Sequence, residues 1–259
     1  MKAAYLKAKN QFEIREVEVR EPEAGEVLVG VKACGFCGHD KILAGYAGEE
    51  WQPFGHEFAG VVEKVGHGVK NVKVGDRVVV ETSIFDPVSD YARNGRPELD
   101  TKGPNYMTME HTGMGFAEKT IVPAVLCVPF TELEDREACF LEPMGVAADL
   151  ILTADIHLGQ DVLLMGCGAI GLMALQMAKA SGARNIYVAE HKANQKKIEL
   201  AKQFGATDVI LTDEMELTDY PFPRGGVDRV LVTTPPVTIA EAVKVANVGG
   251  IVAFLGISY

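Results

Sequence analysis

Val162-Leu163-Leu164-Met165-Gly166-Cys167-Gly168-Ala169-Ile170-Gly171 is the stretch that decides the fold of the second half of this 259-residue chain. Four apolar residues suit a buried strand, three glycines in six mark a turn, and the uncharged, largely apolar run from Leu172 to Ala178 suits a helix. Glycines spaced G-x-G-x-x-G between a strand and a helix have a physical rationale. Gly166 makes the tight turn, Gly168 lets a pyrophosphate approach the backbone, and Gly171 lets the helix pack against the strand. The helix start at Ala169 and Ile170 then presents unpaired N–H groups and a positive dipole end to phosphate. The uncharged run Val162–Ala178 is at the short end for a membrane span and is broken by those glycines, so no membrane segment is expected.

Outward from this stretch, strands and helices alternate. Strands are expected at Val162–Met165, Ile186–Ala189, Asp208–Leu211, Val230–Thr233 and Ile251–Leu255, and helices at Gly171–Ser181, Ala193–Phe204 and Ile239–Asn247. Alternation of this kind implies a parallel sheet with right-handed crossovers. Gly182 and Gly205 stand where helix C-caps belong. Glu190 closes the second strand, where an acid accepts hydrogen bonds from ribose hydroxyls and repels a 2′-phosphate. That favours NAD over NADP, although the adjacent His191 and Lys192 could receive a phosphate. A complete sheet of this class has six strands; five are counted here, so this domain is expected to lack its C-terminal part.

The first half reads differently. Glu26–Ala33 alternates with period two, and Phe58–Val80 holds short valine runs punctuated by glycines, together implying a compact antiparallel barrel or sandwich. Between them lie Cys34-Gly35-Phe36-Cys37-Gly38-His39-Asp40 and, 19 residues after Cys37, Gly55-His56-Glu57. Thiolate, imidazole and carboxylate are zinc ligands, and a catalytic site uses three of them. Cys37 and His56 would supply two, with a carboxylate from elsewhere as the third. Glu142 precedes Pro143, where a helix is expected to break and leave the carboxylate free to point inward.

The succession Cys-Gly-x-Cys-Gly-His-Asp, Gly-His-Glu and Gly-Asp-Arg-Val, followed by the glycine fingerprint, resembles the zinc-dependent medium-chain alcohol and polyol dehydrogenases. The resemblance implies a GroES-like β domain over residues 1–150 and a partial Rossmann domain over 151–259. It implies one catalytic zinc on Cys37, His56 and Glu142, and NAD as hydride acceptor. Asp40 would orient the His56 ring, and Glu57 would lie just outside the ligand set or serve as an alternate ligand. His39 stands where the family usually has Ser or Thr beside the alcohol; it would take the alcohol proton, or else be a rim histidine without a role. The family's second, structural zinc uses four cysteines, but the matching positions here are Asp86, Ser89, Ala92 and Asp100, so that ion is not expected. The implied substrate is a polyol, sugar or amino alcohol, and full-length relatives are homo-oligomers. Two other readings stay open: a zinc-free enone or quinone reductase of the same superfamily, and a non-catalytic nucleotide-binding remnant.

A net charge of −11 argues against nucleic acid and anionic membrane partners. Five scattered cysteines suggest reduced thiols and a cytoplasmic setting, and the charged N-terminus offers no secretion signal.

Overall fold

The computed structural model describes residues 1–46, 48–100 and 102–255. The chain divides into two compact units after Glu142, ahead of the expected boundary at 150. In the first unit β1 (Lys2–Lys7), β2 (Gln11–Glu16), β3 (Glu26–Gly35), α1 (Gly38–Tyr46), β4 (Gln52–Pro53), β5 (Glu57–Val65) and β6 (Arg77–Val80) lead to a short helix α2 (Asp90–Arg93). Strands β7 (Lys119–Pro123) and β8 (Cys127–Pro129) and a short helix α3 (Asp135–Ala138) follow. Strands β2-β1-β4 form one antiparallel sheet and β7-β3-β5-β6-β8 another. Val27, Val29, Phe58, Val62, Val78 and Val122 pack together in the core of the larger one, which is the apolar face that the period-two pattern provides. Gly60 is needed where β5 crosses β3, since a Cβ there would stand 2.5 Å from the Gly30 carbonyl oxygen.

The irregular stretch 82–115 is anchored by Tyr106, fully buried, whose hydroxyl hydrogen-bonds Thr120 Oγ1 at 2.9 Å. Asp100 is its polar hub. Its carboxylate accepts the backbone N–H groups of Asp86 and Lys102, and Asp86 Oδ1 accepts that of Val88 at 2.9 Å. Asp86 and Asp100 are thus tied to each other directly.

Helix α4 (Leu141–Ala154) begins at the division. The helical break expected at Glu142 lies earlier, between α3 and α4, and Pro143 sits inside the first turn of α4. A first-turn residue has no intrahelical N–H bond to lose, so proline is tolerated there.

The second unit alternates β9 (Asp161–Met165), α5 (Ala169–Ala180), β10 (Asn185–Glu190), α6 (Gln195–Phe204), β11 (Asp208–Leu211), β12 (Val227–Val232), α7 (Ile239–Val245) and β13 (Ala246–Phe254). The strands make one parallel sheet in the order β11-β10-β9-β12-β13. This is the doubly wound arrangement with the switch point beside β9. β9 is buried along its whole length, which is why it reads as a continuous apolar run after its first residue. Gly205 caps α6 with φ +103°, and Gly182 follows α5 with φ +89°, both in the left-handed region. Among the described residues no helix is long and apolar enough to cross a membrane.

The N-terminal ends of three strands are joined by Asp161, fully buried at the start of β9. It accepts Arg184 Nε at 2.9 Å and Nη2 at 2.6 Å, and Asn185 Nδ2 at 2.9 Å. Its own N–H donates to Asp228 on β12. Burial disfavours the charged form, but Arg184 and Asn185 outweigh it and hold the carboxyl below its usual range. A group with a depressed folded pKa contributes stability above the unfolded pKa of about 4 and loses it as pH falls through the folded value. Asp161→Ala is expected to lower stability at pH 7 by about 1–2 kcal/mol, since the arginines that pair with it are half exposed and solvent screens them. The deficit should shrink toward pH 3. Urea unfolding across that range checks both; equal deficits at pH 3 and pH 7 would remove the charge explanation.

Candidate functional site

The antiparallel pairing of β3 with β5 sets Gly35 opposite Glu57, which carries Cys37 beside His56 and Glu57. Gly35 is a steric requirement of this arrangement: a Cβ there would meet Glu57 Oε2 at 2.4 Å. Gly55, at φ +96°, turns the chain into His56. One ligand atom from each of Cys37, His56 and Glu57 lies within 4.8 Å of the others. Cys37 immediately precedes α1 rather than lying in an extended loop, so its sulfur sits at a helix start and accepts the His39 N–H at 3.4 Å.

Asp40 lies in the first turn of α1 and is buried. Its Oδ2 accepts the Cys37 N–H at 3.0 Å, while its Oδ1 faces His56 Nδ1 at 3.6 Å, longer than a hydrogen bond. Both of these facing atoms are buried without a partner. Such orphans are rare in folded proteins and mark sites where another requirement dominates. Burial opposes charge on the His56 ring, yet the Asp40 carboxylate and the Cys37 sulfur more than offset it and carry its pKa up to about 10. The site is thus negative enough to hold a cation where solvent screens it little, His56 and Glu57 being buried and Cys37 partly so. A thiol, an imidazole and a carboxylate suit zinc, and the two partnerless atoms fit an imidazole whose other nitrogen serves a metal.

Of the expected ligands, Cys37 and His56 come together with Glu57, and Glu142 stands outside that group. The Glu142 carboxyl, in the first turn of α4, is nonetheless close enough to feel His56, Glu57 and Asp40. Burial raises its pKa, as it does that of Glu57. Glu57 as a member of the ligand group was legible only from its position next to His56. His39 lies with its ring centroid 6.3 Å from that of His56. Cys34 is a packed thiol, pushed up by burial and bonded to the Gly35 carbonyl. His111 hydrogen-bonds the Tyr106 carbonyl at 2.6 Å and packs against that ring, a structural role.

The second unit carries the glycine turn. Gly166 adopts φ +96°. A Cβ on Gly171 would meet the Gly166 carbonyl oxygen at 2.2 Å, so this glycine brings α5 against the strand end. A Cβ on Gly168 would meet nothing within 4 Å, so the backbone there is bare toward solvent just ahead of Ala169 and Ile170 at the start of α5. That is a cradle for a pyrophosphate, and the residues fit a dinucleotide. Thr233, which carried no motif, steadies it by donating its hydroxyl to the Met165 and Gly166 carbonyls at 3.0 and 3.1 Å. Glu190, at the end of β10, is buried and accepts the Cys167 N–H at 2.9 Å.

Residues 23–132 match the family described as Alcohol dehydrogenase GroES-like domain, and residues 169–259 match Zinc-binding dehydrogenase. The chain is 33% identical to (R,R)-butanediol dehydrogenase of Bacillus subtilis, over 96% of this chain and 75% of that protein. It is 34% identical to L-threonine 3-dehydrogenase of Pyrococcus abyssi, over 98% of this chain and 75% of that protein. A crystal structure of a short chain alcohol dehydrogenase from Escherichia coli CFT073, complexed with NADH, superposes with a TM-score of 0.88 at 30% identity, over 100% of this chain and 77% of that one. The chain belongs to the zinc-dependent medium-chain dehydrogenase family.

Because a metal ion and a proton compete for His56, zinc uptake below pH 10 should release at least one proton per ion. The apparent affinity is then expected to fall at least tenfold per pH unit between pH 9 and pH 6. Titration calorimetry in buffers of different ionisation enthalpy measures the release. His56→Ala should weaken binding and lower the proton release by about one per ion; an unchanged release in that variant would move the metal elsewhere.

Proposed function

We propose that Cys37 and His56, with a carboxylate from Glu57 or Glu142, hold the zinc of an oxidoreductase that moves a hydride between an alcohol carbon and a nicotinamide dinucleotide. The gathering of a thiol, an imidazole and a carboxylate in a chain that also carries the glycine cradle is the observation that supports this reading most. When bound, zinc supplies a Lewis acid to the alcohol oxygen and NAD(P) accepts the hydride. The chain's own residues do the rest. Cys37 and His56 fix the ion. Asp40 anchors the Cys37 backbone and faces the second nitrogen of His56. His39 takes the hydroxyl proton as the hydride leaves the carbon; the support for this is that its ring neighbours that of His56 in a family that usually has a hydroxyl side chain there.

NAD is preferred over NADP because Glu190 is an ionised, buried carboxylate at the ribose end of the cradle: burial opposes its charge, and three hydrogen bonds outweigh that and lower its pKa. The substrate is an alcohol carrying a second polar group, of the polyol, sugar or amino-alcohol kind. The similarity to proteins named for butanediol and threonine supports that class. The lobe 82–115 holds through Asp100 and Asp86, so one zinc per chain is expected.

NAD reduction with a panel of diols, sugar alcohols and amino alcohols tests the activity, alongside metal content per chain. Cys37→Ala is expected to lose zinc and turnover together; turnover that survives complete metal loss would favour the zinc-free reductase. His39→Ala should lower kcat about a hundredfold, within the usual range for a proton acceptor. An unchanged kcat would make His39 a bystander. Glu57→Gln and Glu142→Gln identify the third ligand by which of them lowers zinc affinity more.

A further inference from the structure

Asn194 stands immediately before α6, at the position where an asparagine side-chain oxygen ordinarily accepts an N–H of the first helical turn. It makes no such cap. Its side-chain amide turns back instead and donates to Glu190 Oε1 at 2.9 Å. The same oxygen accepts the His191 N–H at 2.9 Å, and Oε2 accepts the Cys167 N–H at 2.9 Å. A carboxylate offers about four acceptor positions, so three of them are spent. Two of the three donors are backbone groups that cannot be exchanged; Asn194 is the one side chain among them. A helix cap forgone is the sign that this amide is used for something else.

We propose that Asn194 is a positioning residue for nucleotide choice, its amide locking the Glu190 carboxylate in place so that NAD is accepted and NADP refused. The proposal rests on the nucleotide reading of the glycine cradle. With three acceptor positions occupied, Glu190 can take one further donor, which a ribose hydroxyl supplies and a phosphate oxygen does not. Its charge is fixed and only 8% exposed, so a 2′-phosphate approaching it meets a repulsion that solvent screens little. Of the neighbouring bases, Lys192 is engaged, its ammonium pairing with Glu214 and its backbone N–H donating to Asp213 at 2.9 Å, and Lys197 offsets only part of the Glu190 charge. Without the Asn194 amide, Glu190 keeps one backbone donor on each oxygen but loses the side-chain bond that ties Oε1 to the start of α6. The carboxylate is then held less firmly, so it grips the ribose less well and opposes a phosphate less sharply.

Dissociation constants for NAD⁺ and NADP⁺, measured by titration calorimetry on the wild type and on Asn194→Ala, test this without any catalytic readout. The wild type should prefer NAD⁺, and Asn194→Ala is expected to cut the NAD⁺:NADP⁺ affinity ratio about tenfold, equivalent to about 1.4 kcal/mol. Asn194→Ser restores a helix cap but is too short to reach Glu190, so it secures the fold while predicting the same shift. If both variants keep a ratio within twofold of the wild type while still binding NAD⁺, Asn194 does not set the choice. If the wild type binds neither nucleotide, the cradle reading itself fails, a result distinct from the first.

Discussion

The pairing of β3 with β5 is the constraint on which the first unit depends. It closes the separation between Cys37 and His56 and fixes Glu57 over a glycine whose missing Cβ makes room for it. Glu57 stands in this ladder, and Cys37 and His56 lie just past its ends, at the start of α1 and ahead of β5, so the cluster is held close to the sheet that holds the core valines. Pre-organisation of this kind matters for a metal site, because ligands that must be gathered on binding sacrifice affinity to their own ordering.

Two buried atoms without partners, Asp40 Oδ1 and His56 Nδ1, face each other in that frame. Asp40, Glu57 and the Cys37 sulfur around them are a setting that suits a cation. Asp40 has two duties, one oxygen on the Cys37 backbone and the other toward the histidine, so it links the helix that follows Cys37 to the strand that begins after His56. The nearby Glu142 adds negative potential from the start of α4.

The second unit shows the same economy of fixed groups. Glu190 is fastened to Cys167, the residue between the first two glycines, so the acid at the ribose end and the phosphate turn are parts of one hydrogen-bonded object. Thr233 fastens the turn from the β12 side through the Met165 and Gly166 carbonyls. Far from this turn, at the opposite end of the strands, Asp161 ties β9, β10 and β12 with charge in place of apolar packing. The lobe 82–115 likewise closes through a carboxylate on backbone N–H groups.

By itself the sequence determined the alternation of strands and helices after residue 160, the glycine turn and the acid that follows it, because periodicity and glycine spacing are local properties that need no knowledge of the fold. It also marked Cys37, His56 and Glu142 as metal-ligand candidates through short motifs. The tertiary structure decided what local pattern cannot express. Glu57 joins Cys37 and His56 because a strand register puts Gly35 opposite it; Glu142 sits in a helix start because Pro143 loses nothing in a first turn. Asn194 gives up its cap to hold Glu190 because the end of β10 brings the two together. Each of these depends on which distant backbone lies alongside, and spacing along the chain carries no record of that.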